Sequence, residues 1–174
     1  SGNDRILEKM NRTYSRKEFM ELVEQIRVLY PDMALTTDII VGFPTETEEE
    51  FMDTYNAMKE IEFDSAFTFK YSQRKGTIAE RKFPDDVPDE VKGERLTRII
   101  ELQREISLKK NLSHVGKTLT VLVEGPSKKS EDDFMGRTDS NKTVIFPKGN
   151  LKHGDLVELY IYKANGSTLF GHLS

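Results

Sequence analysis

Near Gly116 the hydrophobic pattern of this chain changes period, and that change restricts its fold more than any other feature. Upstream, apolar residues recur at helical spacing in stretches separated by short β-type runs; downstream only short β runs remain, set off by Gly, Pro, Asn and Asp. Ser15 and Glu18 form a capping box ahead of Phe19, Leu22, Val23, Ile26 and Leu29, an apolar stripe that Pro31 ends. The stretch from Met33 to Val41 is rich in Thr, Ile and Val, as in a strand buried on both faces, and Gly42-Phe43-Pro44 closes it. Thr47 and Glu50 cap a second helix bearing Phe51, Tyr55 and Met58, and a second β run extends from Phe63 to Tyr71. After a loop with Gly76, Pro84 and Pro88, a long helical pattern covers 89–111. Helix, strand, helix, strand is the alternation of βα units around a parallel sheet or barrel, and two such units are too few to close one. The upstream part is therefore expected to be α/β, either a parallel sheet or an α/β partial (βα) barrel.

From 113 to 174 the runs Thr118–Glu124, Thr143–Phe146, Asp155–Tyr162 and Thr168–His172 predict four or five strands, in a small all-β barrel of the OB-like kind. The domain boundary is expected between 112 and 113. The chain carries 26 basic against 30 acidic residues, so its net charge of -4 gives no general attraction to phosphate, and any nucleic-acid contact must be local. No apolar run approaches the roughly 18 to 20 residues of a membrane helix, so a cytoplasmic protein with no membrane partner is expected. With no cysteine, these residues cannot form a disulfide, a thiolate zinc site or a cysteine nucleophile, and they cannot ligate an iron-sulfur cluster through sulfur. His114, His153 and His172 share no metal-ligand spacing, so no metal site is expected. The opening on small polar residues, without an initiator methionine, reads as a cut edge.

Two groups of residues carry candidate chemistry. Asp38 places a carboxylate in an otherwise apolar strand just before Gly42 and Phe43, and parallel α/β folds gather ligands at the carboxyl ends of strands. Arg12 and Arg74 are cations near the same ends, suited to a ligand carboxylate or phosphate, or else only to surface ion pairs. The acidic run Glu46 to Glu50 reads as first-turn carboxylates facing a helix dipole. In the β part, Lys128, Lys129, Arg137, Asn141 and Lys142 fall in loops beside Phe134, Tyr160 and Phe170, which could stack bases. The alternative is a solvated loop, since Glu131, Asp132 and Asp133 dilute the charge.

Taken in order, SGNDRILEKMNRTYS, TDIIVGFPTETEEEF, FTFKYSQRKGT, VKGERL and VLVEGPSKKSEDDFMGRTDSNKTVIF resemble the carboxyl-terminal half of the radical SAM methylthiotransferases. The last segment is most similar to the tRNA-modifying, MiaB-type 2-methylthio isopentenyladenosine synthases. Thr45 stands where the family usually carries glycine. The resemblance implies part of a radical SAM domain with its linker helix over 1–112 and a TRAM domain over 113–174. It also implies a full-length enzyme that uses S-adenosylmethionine and two 4Fe-4S clusters, none ligated by this chain, to add a methylthio group at C2 of a prenylated adenosine next to the anticodon. On the residues that match, Ser1, Asn3, Arg12, Thr37, Asp38, Gly42 and Phe43 are implied at the S-adenosylmethionine pocket. Arg74 would face the pocket or the tRNA, and Lys128, Lys129, Arg137, Asn141 and Lys142 would contact the anticodon stem-loop. The implied partners are that stem-loop and an amino-terminal half of the same chain; alone, this chain is expected to be inactive. The rival expectations are a methylthiotransferase acting on a ribosomal-protein aspartate, and a non-catalytic RNA-binding module.

Overall fold

The computed structural model describes residues 1–128 and 130–174, which divide into two units, Ser1–Gln103 and Arg104–Ser174. In the first, α1 (Asp4–Lys9) begins at Asn3, whose side chain accepts the Ile6 N–H. Next, α2 (Arg16–Leu29) begins at the Ser15–Glu18 capping box. Then β1 (Thr36–Val41), α3 (Glu48–Ile61) and β2 (Ser65–Lys70) make one βαβ unit, with β1 and β2 parallel in register from Thr36↔Ser65 to Val41↔Lys70. A short helix α4 (Ile78–Lys82), capped by Thr77, precedes the long α5 (Asp89–Leu112). The sequence pattern does not show α1 and α4, because helices of six and five residues are shorter than two turns and leave little periodicity to read.

One expectation fails in an informative way. β1 is not buried on both faces: Ile39 and Val41 are buried, while Asp38 on the other face is exposed together with Phe67 and Phe69 of β2. Alternation therefore governs both strands, and Asp38 needs no buried partner. On α2, Phe19, Met20, Val23 and Ile26 are half-buried, but Leu22 and Leu29 point to solvent, so the packed stripe is narrower than the apolar residues alone suggest. The core of this unit gathers Ile6, Leu7, Val41, Phe51, Met58 and Ile99 at 0–2% exposure.

The second unit holds the end of α5 and a closed barrel of five strands, β3 (Thr118–Pro126), β4 (Asp133–Thr138), β5 (Thr143–Pro147), β6 (Leu156–Ala164) and β7 (Leu169–Leu173), ordered β3-β4-β5-β7-β6. Four pairings are antiparallel and β5–β7 is parallel. Inward residues at alternate positions, among them Val121, Val123, Phe134, Val144, Phe146, Leu159, Ile161 and Leu169, fill the interior. Where the sequence pattern predicts loop, the barrel has β4. Its acidic flank and Gly136 disguise an alternation in which Phe134, Gly136 and Thr138 face inward. Phe134 is thus core and no stacking platform, and Arg137 lies on a strand.

Gly136 is required by space, because a Cβ there would lie 2.4 Å from the Leu122 carbonyl oxygen and 2.5 Å from Val121 Cγ1. Gly136→Ala is therefore expected to destabilise the barrel by about 1–3 kcal/mol through overpacking, and Phe146→Ala by about 3–5 kcal/mol through a cavity. Denaturant unfolding followed by far-UV circular dichroism measures both losses.

Candidate functional site

β1 runs into the turn Gly42-Phe43-Pro44-Thr45, and a buried ion pair beneath that turn fixes its path. Glu46 and Arg95 are each 4% exposed. Glu46 Oε2 accepts the Gly42 N–H at 2.7 Å and an Arg95 Nη1–H at 2.9 Å, and Arg95 Nη1 also donates to the Glu46 carbonyl at 3.0 Å. Arg95 Nε reaches Glu48 at 3.3 Å, and its guanidinium lies over the Phe51 ring, 5.4 Å from the centroid. Burial pushes the Glu46 carboxyl above its ordinary range, against the Gly42 N–H and the charge of Arg95, which pull it down. Its Oε1 is buried and has no hydrogen-bond partner among the described residues.

Gly42 adopts φ +69, and a Cβ there would meet Lys92 Cγ at 2.4 Å. Thr45 also has a left-handed φ of 70, a conformation that glycine adopts at less cost than a residue with a side chain. Here a β-branched residue is held in that conformation by hydrogen bonds from its N–H to Asp86 and from Arg5 to its hydroxyl and carbonyl oxygens. Arg5 also makes a two-pronged pair with Glu50 and holds that carboxyl below the usual range.

At the carboxyl ends of β1 and β2 lies a cavity of about 860 Å³. Four of the expected site residues line it: Arg12, Asp38, Phe43 and Arg74. Lys9, Ile40, Phe69 and Tyr71 line it as well. Among the described residues neither Arg12 nor Arg74 is in an ion pair, whereas Lys70 on the same wall is bonded to Asp89. Phe43 meets Tyr71 edge-on at 5.1 Å and Phe83 at 6.1 Å, and Lys9 caps the Phe83 ring at 4.7 Å. The Tyr71 hydroxyl is buried and has no partner among the described residues, and burial pushes its pKa up.

The other expected residues lie elsewhere. Ser1 and Thr37 line a separate cavity of about 70 Å³, which Asp38 also borders. Asn3 is committed to structure, its oxygen to the Ile6 N–H and its Nδ2 to Asp53 at 2.7 Å. The Gly42 N–H is likewise committed to Glu46. In the barrel, Arg137 and Asn141 are brought together, with Arg137 Nη1 3.0 Å from Asn141 Oδ1 and Nε 3.2 Å from Glu124. Lys142 follows in the same β4–β5 turn, its N–H donating to Thr138 Oγ1. Lys128 is exposed at the opposite end of β4, in the β3–β4 connection, so the cations do not form one patch. Lys129 lies outside the described residues. Sequence reasoning misses Glu46, Arg95 and Tyr71. The available signal is on α5, where Lys92 and Arg95 share the stripe of Ile99, Leu102 and Ile106.

Residues 112–174 match the family model of the TRAM domain, and residues 1–58 match that of the radical SAM superfamily. Over 171 residues, 98% of this chain, it is 49% identical to the tRNA-2-methylthio-N(6)-dimethylallyladenosine synthase of Azobacteroides pseudotrichonymphae. It is 51% identical to the protein of that name from Clostridium botulinum strain Hall, and 49% identical to the one from Phocaeicola vulgatus. The resemblance to the radical SAM methylthiotransferases is shown. The chain spans 38% of the length of these relatives. A solved RNase R from Mycoplasma genitalium overlaps 55% of the chain at 13% identity with a TM-score of 0.31, too loose a match to bear on the fold.

Arg95→Ala strands the Glu46 carboxylate in a dry site and is expected to cost about 3–5 kcal/mol of unfolding free energy. The Arg5–Glu50 pair has the opposite pH signature. A depressed folded-state pKa contributes stability above the ordinary glutamate range, and that stability is lost as pH falls through the folded value. Arg5→Ala should therefore flatten the acid limb of a stability-versus-pH curve and leave the shape of its neutral region unchanged, as thermal melts across pH would record.

Proposed function

We propose that this chain is part of a methylthiotransferase that modifies a dimethylallylated adenosine of tRNA, and that its first unit supplies part of the S-adenosylmethionine pocket. The observation that carries the reading is the cavity of about 860 Å³ at the strand ends, which gathers Arg12, Asp38, Phe43 and Arg74. Its volume is in the usual range for small-molecule sites, and its donor set fits a zwitterion joined to a nucleoside. An arginine fork suits the ligand carboxylate, the Asp38 carboxylate suits an ammonium, and Phe43 and Phe69 offer apolar walls. The unpartnered Tyr71 hydroxyl is one more group able to bond a ligand there. When bound in the full protein, S-adenosylmethionine supplies the radical and group-transfer chemistry. What this chain does is bind and orient.

The clusters do not fit this chain. Their ligands are cysteine thiolates, and the sequence has none, so no step is assigned to an iron-sulfur group held by these residues. The chain alone is accordingly proposed to be inactive. In the second unit, Arg137, Asn141 and Lys142, with Lys128, are proposed to touch the phosphates of the anticodon arm, a role supported by the TRAM match and by the names of the relatives.

Isothermal titration with S-adenosylmethionine tests the pocket. Arg12→Ala is expected to weaken binding about tenfold or more, the effect of losing a hydrogen bond to a charged group, while Asn3→Ala lowers stability and leaves affinity unchanged. Wild-type chain that takes up no S-adenosylmethionine would sink the pocket. For the RNA role, replacing Arg137 and Lys142 by alanine should weaken binding of an anticodon stem-loop and reduce the log-log salt slope by about 0.7–0.9 for each phosphate no longer neutralised. A slope equal to that of the wild type argues against these cations touching the RNA.

A further inference from the structure

The barrel carries a feature that neither its core nor its cations explain. On the outer face of β6 and β7, Tyr160 and Tyr162 are 39% and 52% exposed, and His172, the cross-strand partner of Tyr160, is exposed with them. The imidazole lies 5.4 Å from the Tyr160 ring, and 5.9 Å from the Tyr162 ring at an interplanar angle of 19°. The three side chains therefore form one continuous π surface in which the histidine joins the two tyrosines. The acceptor opposite His172 Nδ1 is the Leu173 carbonyl oxygen at 2.9 Å, so in that bond Nδ1 carries the proton. The barrel interior is already filled by aliphatic side chains and two phenylalanines, so the strip adds nothing to it.

We propose that the Tyr160–His172–Tyr162 strip stacks unpaired bases of an RNA loop. Every base has a π face, and aromatic side chains on a barrel surface hold single strands by stacking, with little sequence preference. The charges at its borders fit this partner. Lys163 follows Tyr162 directly and lies 5.6 Å over the Phe170 ring, and exposed Lys117 is joined through its backbone carbonyl to the N–H of Ile161, the residue between the two tyrosines. Glu158, two residues before Tyr160 on the same face of β6, accepts a hydrogen bond from Thr120. Only β3 separates β6 from β4, so strip and Arg137 cluster both lie on the outward side of one run of strands. Cations there would hold phosphates while the strip holds bases. The proposal rests on the tRNA-binding role above and adds to it a second class of contact, to bases.

The test uses the full chain and two unlabelled RNAs, a hairpin with an unpaired loop and a blunt duplex of the same stem sequence. Tyr160→Ala and Tyr162→Ala should each weaken hairpin binding about tenfold, leave duplex binding unchanged and keep the salt slope of the wild type, because every cation that neutralises a phosphate is still in place. Tyr162→Phe keeps the ring and should bind as the wild type does. In the unmutated chain, the His172 ring-proton resonances should move upfield on adding hairpin and stay in place on adding duplex, a readout independent of how any variant folds. Alanine variants that bind hairpin like the wild type, or His172 resonances that ignore it, would make the strip mere strand-to-strand packing and overturn the proposal while leaving the tRNA role intact. No binding of either RNA would overturn both.

Discussion

Arg95 and Glu46 are the pair on which the geometry of the first unit depends. Two opposite charges removed from water depend on the bonds they make to each other and to their surroundings: Arg95 serves both the carboxylate and the carbonyl of Glu46, and Glu46 Oε2 in turn takes the Gly42 N–H, while Oε1 stays buried without a partner among the described residues. The result ties α5 to the turn that ends β1. Gly42 has room only for hydrogen against Lys92, so the chain passes close over the helix and Phe43 is delivered to the cavity wall. The pair thereby helps to fix where the strand ends, and a ligand site at strand ends is only as precise as those ends.

The neighbouring turn shows how far the constraint extends. Thr45 holds a conformation that costs a β-branched residue on the order of 1–2 kcal/mol, and it is kept there by Asp86 and by Arg5, which is itself anchored on Glu50 in the first turn of α3. The capping box of α3 thus does more than start a helix, since Glu50 caps the helix, pairs with Arg5 and, through Arg5, steadies the turn. Such over-determination is how sparsely populated backbone persists beside a functional site.

Much of this is legible in the sequence because it depends on local rules. Both capping boxes, the length of α5 and the change from helical to strand period are readable from spacing alone, and Pro31 marks the end of α2 within two residues. What escapes depends on contacts made across the chain. Strand β4 is hidden because its inward positions include Gly136, whose role is to have no side chain, and because acidic residues precede it. Glu46 is indistinguishable in sequence from its exposed neighbours Glu48 and Glu49, since only the approach of Arg95, 49 residues later, makes it a buried partner. Asn3 looks like a ligand residue and is a helix cap, whereas Arg12, Asp38, Phe43 and Arg74, far apart in the chain, converge because the two parallel strands end at the same level.

The most direct test of the account is a crystal structure of the chain grown with S-adenosylmethionine. The expected result is ligand density at the carboxyl ends of β1 and β2, with the amino-acid carboxylate within hydrogen-bond distance of Arg12 or Arg74, the adenosine against Phe43 or Phe69, and the Glu46–Arg95 pair unmoved beneath. Ligand held away from those four side chains, or a cavity closed by Phe69 and Tyr71 folding across it, would contradict it.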